Sequence, residues 1–304
     1  MRQRSIIDLK RAGASRRALL SGAVAAALLA ACKPKSDPGD TPAEPVEAGP
    51  PEGSLEWALA GAWRAADRPR DAARHPIETL QFFGLSPGDT VAEFWPGAGW
   101  WTEILAPYLS RNQGVLYAAS FQLEPDGDPA TAQIVARFRE RFSETRRYGD
   151  VKMTEFGPTT GPVAPAGSAD LVLFMDNLHA WMAAGVAEKA FADAFAALKP
   201  QGVLGVVQHR GETGTAQDPA AVSGYVQEGY AKQLAAEAGF AFVASSEINA
   251  NPDDTRDHPF GVWTLPPHRL SAPRGEPANA SFDHSKYDEI GESDRMTLKF
   301  RKPQ

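Results

Sequence analysis

The 304-residue chain contains a single cysteine, Cys32. Beyond that residue a disulfide, a cysteine-ligated zinc site and a cysteine nucleophile are all excluded. Long hydrophobic runs are missing as well, because the one sustained apolar stretch stops at Ala31 and is too short to span a bilayer as a helix. Basic charge is scarce: 31 Lys and Arg face 38 Asp and Glu, a formal net charge of −7. Arg2, Arg4, Lys10, Arg11, Arg16 and Arg17 all precede Cys32, opposed there by Asp8 alone, so the remainder is more acidic still. Such a chain has no basic stripe to hold a polyanion, and nucleic acid is not an expected partner. No internal repeat is visible. The run Asp253-Asp254-Thr255-Arg256-Asp257-His258 has metal-binding atoms but not the spacing of a recognised site, and Arg256 sits inside it. A polar loop is the expectation there, with no metal.

What is present begins with a leader. Scattered arginines, the pair Arg16-Arg17 and an apolar run read as an export signal over residues 1–31. The arginine pair resembles a twin-arginine signal, and Leu29-Ala30-Ala31-Cys32 resembles the lipobox at which bacterial lipoproteins are cleaved and lipidated on cysteine. That resemblance implies a lipid anchor on Cys32 and a place on the periplasmic side of a bacterial membrane. Lys33 is not the aspartate of inner-membrane retention, so the outer membrane is the expectation. Residues 32–53 are rich in proline, glycine and acidic side chains and poor in large apolar ones, the composition of a tether. Residues 54–304 are then one folded domain of ordinary size.

Within that domain, apolar segments of strand and helix character alternate. Ser54 caps a lead-in helix over 55–63, and a second short helix over 77–83 stops at Gly84. Strands are expected at 90–94, 115–120, 151–156, 170–175, 203–208 and 240–248, with helices near 100–110, 130–144, 185–198 and 223–238. This order predicts an α/β fold, a doubly wound and mainly parallel Rossmann-like sheet with lead-in helices, and a last strand over 296–301 joining its edge.

The segment Val91-Ala92-Glu93-Phe94-Trp95-Pro96-Gly97-Ala98-Gly99-Trp100 reads as an apolar strand, a glycine turn and a helix start. Glycines let backbone approach a ligand, and a helix start presents free N–H groups across the turn. The segment resembles motif I of class I S-adenosylmethionine-dependent methyltransferases. Glu93, Gly97 and Gly99 match the acidic position and the last two glycines, while Trp95 stands where the first glycine falls. The resemblance implies S-adenosylmethionine as cofactor, held by Glu93, Trp95, Pro96, Gly97, Gly99, Ser120 and Asn177. On the residues alone, Glu93 binds a ligand or caps the next helix. Trp95 narrows the pocket or stacks on the ligand. The second strand ends Ala119-Ser120-Phe121-Gln122 without the carboxylate that clamps a ribose in many relatives, leaving the single hydroxyl of Ser120. A nicotinamide oxidoreductase fits less well, because its third glycine would fall on Thr102.

Two later segments resemble the same class: Ala169–Phe174 followed by Asp176-Asn177-Leu178-His179-Ala180-Trp181 (motif IV), and Leu198-Lys199-Pro200-Gln201-Gly202-Val203-Leu204. With Phe94–Gly97, Glu247–Pro252, His258-Pro259, Gly261–Pro267 and Gly291–Met296, the chain is similar to a family of predicted bacterial methyltransferases with export signals. His179 is the candidate general base, since imidazole titrates near neutrality, or else it bonds the adjacent loop. Trp181, His209, Arg210, Asn251 and His258 are candidate substrate contacts; Arg210 equally suits a surface pair with Glu212. Two functions follow: methyl transfer to a small-molecule or envelope acceptor, and a non-catalytic ligand-binding lipoprotein on the same fold. The sequence is silent on oligomeric state.

Overall fold

The computed structural model describes residues 49–304. The export leader, the lipidation cysteine Cys32 and the tether up to residue 48 lie outside the described residues. The lead-in segment carries α1 (Leu55–Ala60), α2 (Asp71–Arg74) and α3 (Pro76–Phe83). Ser54 Oγ accepts from the Trp57 main-chain N–H at 3.0 Å, which satisfies one of the unpaired donors at the start of α1. Gly84, with φ of 91°, ends α3 in the left-handed conformation that glycine adopts without steric cost.

The main body runs β1 (Thr90–Phe94), α4 (Thr102–Arg111), β2 (Val115–Phe121), α5 (Pro129–Arg141), α6 (Thr145–Tyr148), β3 (Lys152–Phe156) and β4 (Ala169–Met175). It continues with α7 (Leu178–Ala183), α8 (Ala187–Ala197), β5 (Leu198–His209), α9 (Glu228–Glu237), β6 (Ala241–Ser246), α10 (Ser285–Ile290) and β7 (Arg295–Arg301). The seven strands form one sheet in the order β3-β2-β1-β4-β5-β7-β6. β1 to β5 pair in parallel, with Glu93 opposite Ala118 on one side and Leu173 on the other.

Period-two alternation sends side chains to two cores. Ala92, Phe94, Ala119, Phe174 and Val206 pack with α7, α8 and α9, whereas Val91, Leu116, Ala118, Leu173 and Val207 pack with the lead-in helices, α4 and α5. Helices on both faces of a mainly parallel sheet make the doubly wound Rossmann-like architecture expected from the sequence.

The last strand departs from expectation. β7 is not an edge strand; it runs antiparallel between β5 and β6, and β6 is the edge. Burial explains the order: β7 is buried over Arg295–Leu298 and again at Phe300, while β6 is mostly exposed. Only a strand covered on both faces and both sides keeps Met296, Leu298 and Phe300 from water.

Candidate functional site

The turn after β1 lies at the carboxyl end of the sheet, where doubly wound folds place their ligands. Gly97 and Gly99 have φ of 59° and 92°. They serve different ends. A Cβ on Gly99 would lie 2.3 Å from the Phe142 ring, so this glycine permits close packing at the end of α5. A Cβ on Gly97 would meet nothing within 4 Å; that glycine leaves the turn open. Pro96 closes the turn, its carbonyl accepting from the Gly99 N–H at 2.9 Å.

Glu93 is almost completely buried, and Oε2 accepts from Thr102 Oγ1, in the first turn of α4, at 2.7 Å. Burial pushes its carboxyl up to about 7, with the Thr102 bond opposing the shift. Glu93 thus anchors the start of α4 with one oxygen. Ser120 lies on the same sheet face near the end of β2, and its hydroxyl is buried without a hydrogen-bond partner.

Trp95 has φ of 44°, a conformation costing about 1–2 kcal/mol for a residue with a Cβ. Its side chain offsets the strain: the indole N–H donates to the Phe156 carbonyl at 2.8 Å, and the ring packs 4.7 Å from Phe121 and 5.9 Å from Trp181. Asn177 holds the same turn from the far side, donating to the carbonyls of Phe94 at 3.0 Å and Trp95 at 3.1 Å.

A second feature adjoins this cradle. Asp176, next to Asn177 and itself at φ of 59°, lines a cavity of about 280 Å³. His179, His209, Arg74, Arg274 and Arg295 also line it, with Trp263 and the Pro266-Pro267 segment forming a wall. Asp176 Oδ2 lies 3.3 Å from Arg295 Nε and 3.8 Å from Arg74 Nη1. Burial opposes ionisation of Asp176, yet Arg295, His209 and Arg74 outweigh it and hold the carboxyl down at about 2.

His209 Nδ1 lies 2.6 Å from Ser293 Oγ, and the His179 and His209 rings are 5.4 Å apart. Burial lowers both histidines, His179 to about 4 and His209 to about 3, so both are neutral at pH 7. Behind the cavity, Glu292 accepts from Arg70 Nε and Arg74 Nε, each at 2.9 Å, and pairs with Arg295.

Of the residues singled out in the sequence, the structure gathers Glu93, Trp95, Pro96, Gly97, Gly99, Ser120 and Asn177 around the β1–α4 turn. His179 and His209 stand together in the adjoining cavity. Trp181 backs the cradle from the core, packed against Trp95 and fully buried, its ring 4.6 Å from Phe174 and 5.6 Å from Phe156. The ring belongs to the core cluster under the sheet rather than to the cavity wall.

Arg210 is spent on Asp294, which it grips through Nε at 2.9 Å and Nη2 at 2.8 Å, and on Glu247 rather than Glu212. Asn251 donates to the carbonyls of Ile290 and Glu292. His258 Nε2 lies 2.8 Å from Asp254, which also accepts from Tyr225 Oη. Arg210 and Asn251 tie the loop over 247–258 to the segment before β7, and His258 braces Asp254, which accepts from the Asp294 N–H at 2.8 Å. The polar run over 253–258 is a fastened loop, and no group of three or more metal-ligating side chains occurs among the described residues.

The cavity's arginines escaped the sequence reading because they come from opposite ends of the domain, Arg70 and Arg74 from the lead-in segment and Arg295 from β7. One signal was available: Arg295 and Thr297 are polar residues set alternately with Met296, Leu298 and Phe300, so the second face of β7 carries polar side chains.

No family model matches the chain, and no curated protein matches it. Experimental structures do. A Galdieria sulphuraria protein provisionally assigned as a sarcosine dimethylglycine methyltransferase aligns over 79% of this chain and 86% of its own, at 16% identity and a TM-score of 0.50. An Aquifex aeolicus SAM-dependent methyltransferase aligns over 61% of this chain and 90% of its own, at 20% identity and a TM-score of 0.45. Human N-acetylserotonin methyltransferase in complex with SAM aligns over 82% and 56%, at 15% identity and a TM-score of 0.46. At 16% identity the likeness to the Galdieria sulphuraria structure speaks to architecture alone: the chain has a Rossmann-like fold shared with that protein.

Proposed function

We propose that this protein binds S-adenosylmethionine in the β1–α4 cradle and transfers its methyl group to a small molecule held beside Asp176 and His179. The observation that carries the reading is the placement of the two features by consecutive residues: Asn177 fastens the open glycine turn while Asp176 lines the neighbouring cavity. The donor set fits the cofactor. Gly97 leaves room for close backbone approach, Ser120 Oγ has an unused hydrogen bond to offer, and Glu93 can accept from a hydroxyl or ammonium group. The shared fold with the Galdieria sulphuraria protein supports the same reading.

When bound, the cofactor supplies an electrophilic methyl group on a sulfonium sulfur. The chain's own contribution is alignment: the Asn177 bonds hold the cradle in register with the cavity, so that donor and acceptor meet in one orientation. Calorimetric titration of S-adenosylhomocysteine into the purified protein tests this. Micromolar binding that Glu93→Ala loses is the expected result, and absence of binding at millimolar ligand overturns it.

One observation favours a non-catalytic binding protein on this fold. The Trp95 ring occupies the region over Phe121 and Phe156, beside the strand ends where methyltransferases lodge their cofactor. A folded protein that binds no S-adenosylhomocysteine would support that reading.

We also propose that the domain works as an exported lipoprotein on the periplasmic side of a bacterial membrane, anchored through Cys32, with the outer membrane favoured by Lys33. Membrane fractionation of wild type and Cys32→Ser tests it; a variant that stays with the membrane fraction rules the anchor out.

A further inference from the structure

His179 is held in the opposite role from the base its titration range suggests. Gln208 Oε1 accepts from the Leu178 N–H at 3.0 Å, while Gln208 Nε2 donates to the Gly224 carbonyl at 3.0 Å and faces His179 Nδ1 at 3.2 Å. Turning the amide over would set donor against donor at Leu178 and acceptor against acceptor at Gly224, so its orientation is doubly fixed. His179 Nδ1 is therefore an acceptor. The proton of the neutral ring sits on Nε2, and the ring offers the cavity an N–H donor.

The charges around it point the same way. Arg70, Arg74, Arg274 and Arg295 line the cavity, against Asp176 in its wall and Glu292 behind it, and the histidines are neutral. Four guanidinium groups face two carboxylates, an excess of positive charge in a partly enclosed space. Arg74 feels this: burial first, and then repulsion from Arg295, lower its pKa to about 10 despite Asp176 and Glu292. Arg274 is exposed and stacks over the Trp263 ring at 4.0 Å, at the rim of the same cavity. A volume of about 280 Å³ lies at the small end of ligand sites, suited to a small molecule rather than a chain segment.

We propose that the ligand of this cavity is a small molecule carrying an oxyanion, a carboxylate or phosphate group, which takes its hydrogen bonds from His179 Nε2–H and the surrounding guanidinium groups. The inference rests on reading the cavity as the acceptor site, but its test does not need the cofactor. Thermal unfolding and calorimetry are followed with inorganic phosphate and with succinate, each against chloride at matched ionic strength, for wild type, Arg274→Gln and His179→Phe. S-adenosylhomocysteine is titrated in parallel.

The expected result is a rise in melting temperature with at least one anion, an apparent affinity at least tenfold weaker in both variants, and S-adenosylhomocysteine affinity within twofold of wild type. A response to phosphate alone assigns a phosphorylated ligand, and a response to succinate alone assigns an organic acid. No response above chloride, or variants that bind as wild type does, would overturn the proposal. Anion binding without S-adenosylhomocysteine binding would leave the cavity as assigned and remove the methyltransferase reading; the converse would remove only the anion.

Discussion

Asn177 Nδ2 lies 3.1 Å from the main-chain oxygen of Trp95, and through this bond the end of β4 grips the turn that follows β1. The same amide also serves Phe94. Asn177→Ala removes one donor from two carbonyls, at a cost of about 1–3 kcal/mol, and loosens the turn. The expected outcome is a lower melting temperature together with roughly tenfold weaker S-adenosylhomocysteine binding. Asn177→Asp does not restore either, because a carboxylate cannot donate. Calorimetry and thermal unfolding on the three proteins check this.

Gly97→Ala and Gly99→Ala separate ligand approach from folding. At Gly97 the new methyl group meets no protein atom, so only the left-handed φ is penalised, by about 1–2 kcal/mol. Ligand affinity should fall while the fold persists. At Gly99 the methyl group collides with Phe142 and, at 3.2 Å, Phe138, so loss of soluble folded protein is expected first. Circular dichroism and ligand titration on both variants distinguish the effects.

Glu93 makes stability fall as pH rises. Its folded-state value of about 7 lies above the ordinary 4.5, so the native state binds the extra proton between those limits. By linkage, the stabilisation present below pH 4.5 is lost as pH climbs through 7, amounting to at most on the order of 3 kcal/mol. Glu93→Gln keeps an acceptor for Thr102 and should be more stable than wild type at pH 8, with the gap closing toward pH 5. Denaturant titrations at both pH values test the sign. If a bound cofactor needs the ionised carboxylate, wild-type affinity for S-adenosylhomocysteine should also weaken between pH 8 and pH 6.

Trp181 is a packing residue, and its replacement should behave as one. Trp181→Ala empties space among Phe94, Phe156 and Phe174 and should cost about 3–5 kcal/mol of stability. Trp181→Phe should recover most of it. A Trp181→Phe protein of near-native stability that had lost anion binding would place the ring in the site after all.

The sheet was legible because β1, β2, β4 and β5 are short apolar segments set between helices, a pattern that local chemistry alone imposes. Glu93, Gly97 and Gly99 were legible for the same reason, since strand, turn and helix start are contiguous. The position of β7 was not, because pairing with β5 and β6 is decided by which strand needs cover on both sides. The role of His179 was hidden too. Nothing near it in sequence reveals that Gln208, twenty-nine residues away, will donate to Nδ1 and fix the proton on the other nitrogen. Arg210 and Asn251 misled by their polarity: each is consumed by loop fastening, which a sequence cannot distinguish from ligand binding.

The contacts of Glu292 with Arg70 and Arg74 join residues 222 and 218 positions apart. Because β7 is an interior strand, the parallel sheet can begin to form on a growing chain while the cationic cavity does not yet exist. Its wall is complete only when Arg295 is in place between β5 and β6. Such late closure is slow by the measure of chain separation, and it orders events in time. A cavity walled from both ends of the domain is a property of the complete fold and of no shorter piece of it.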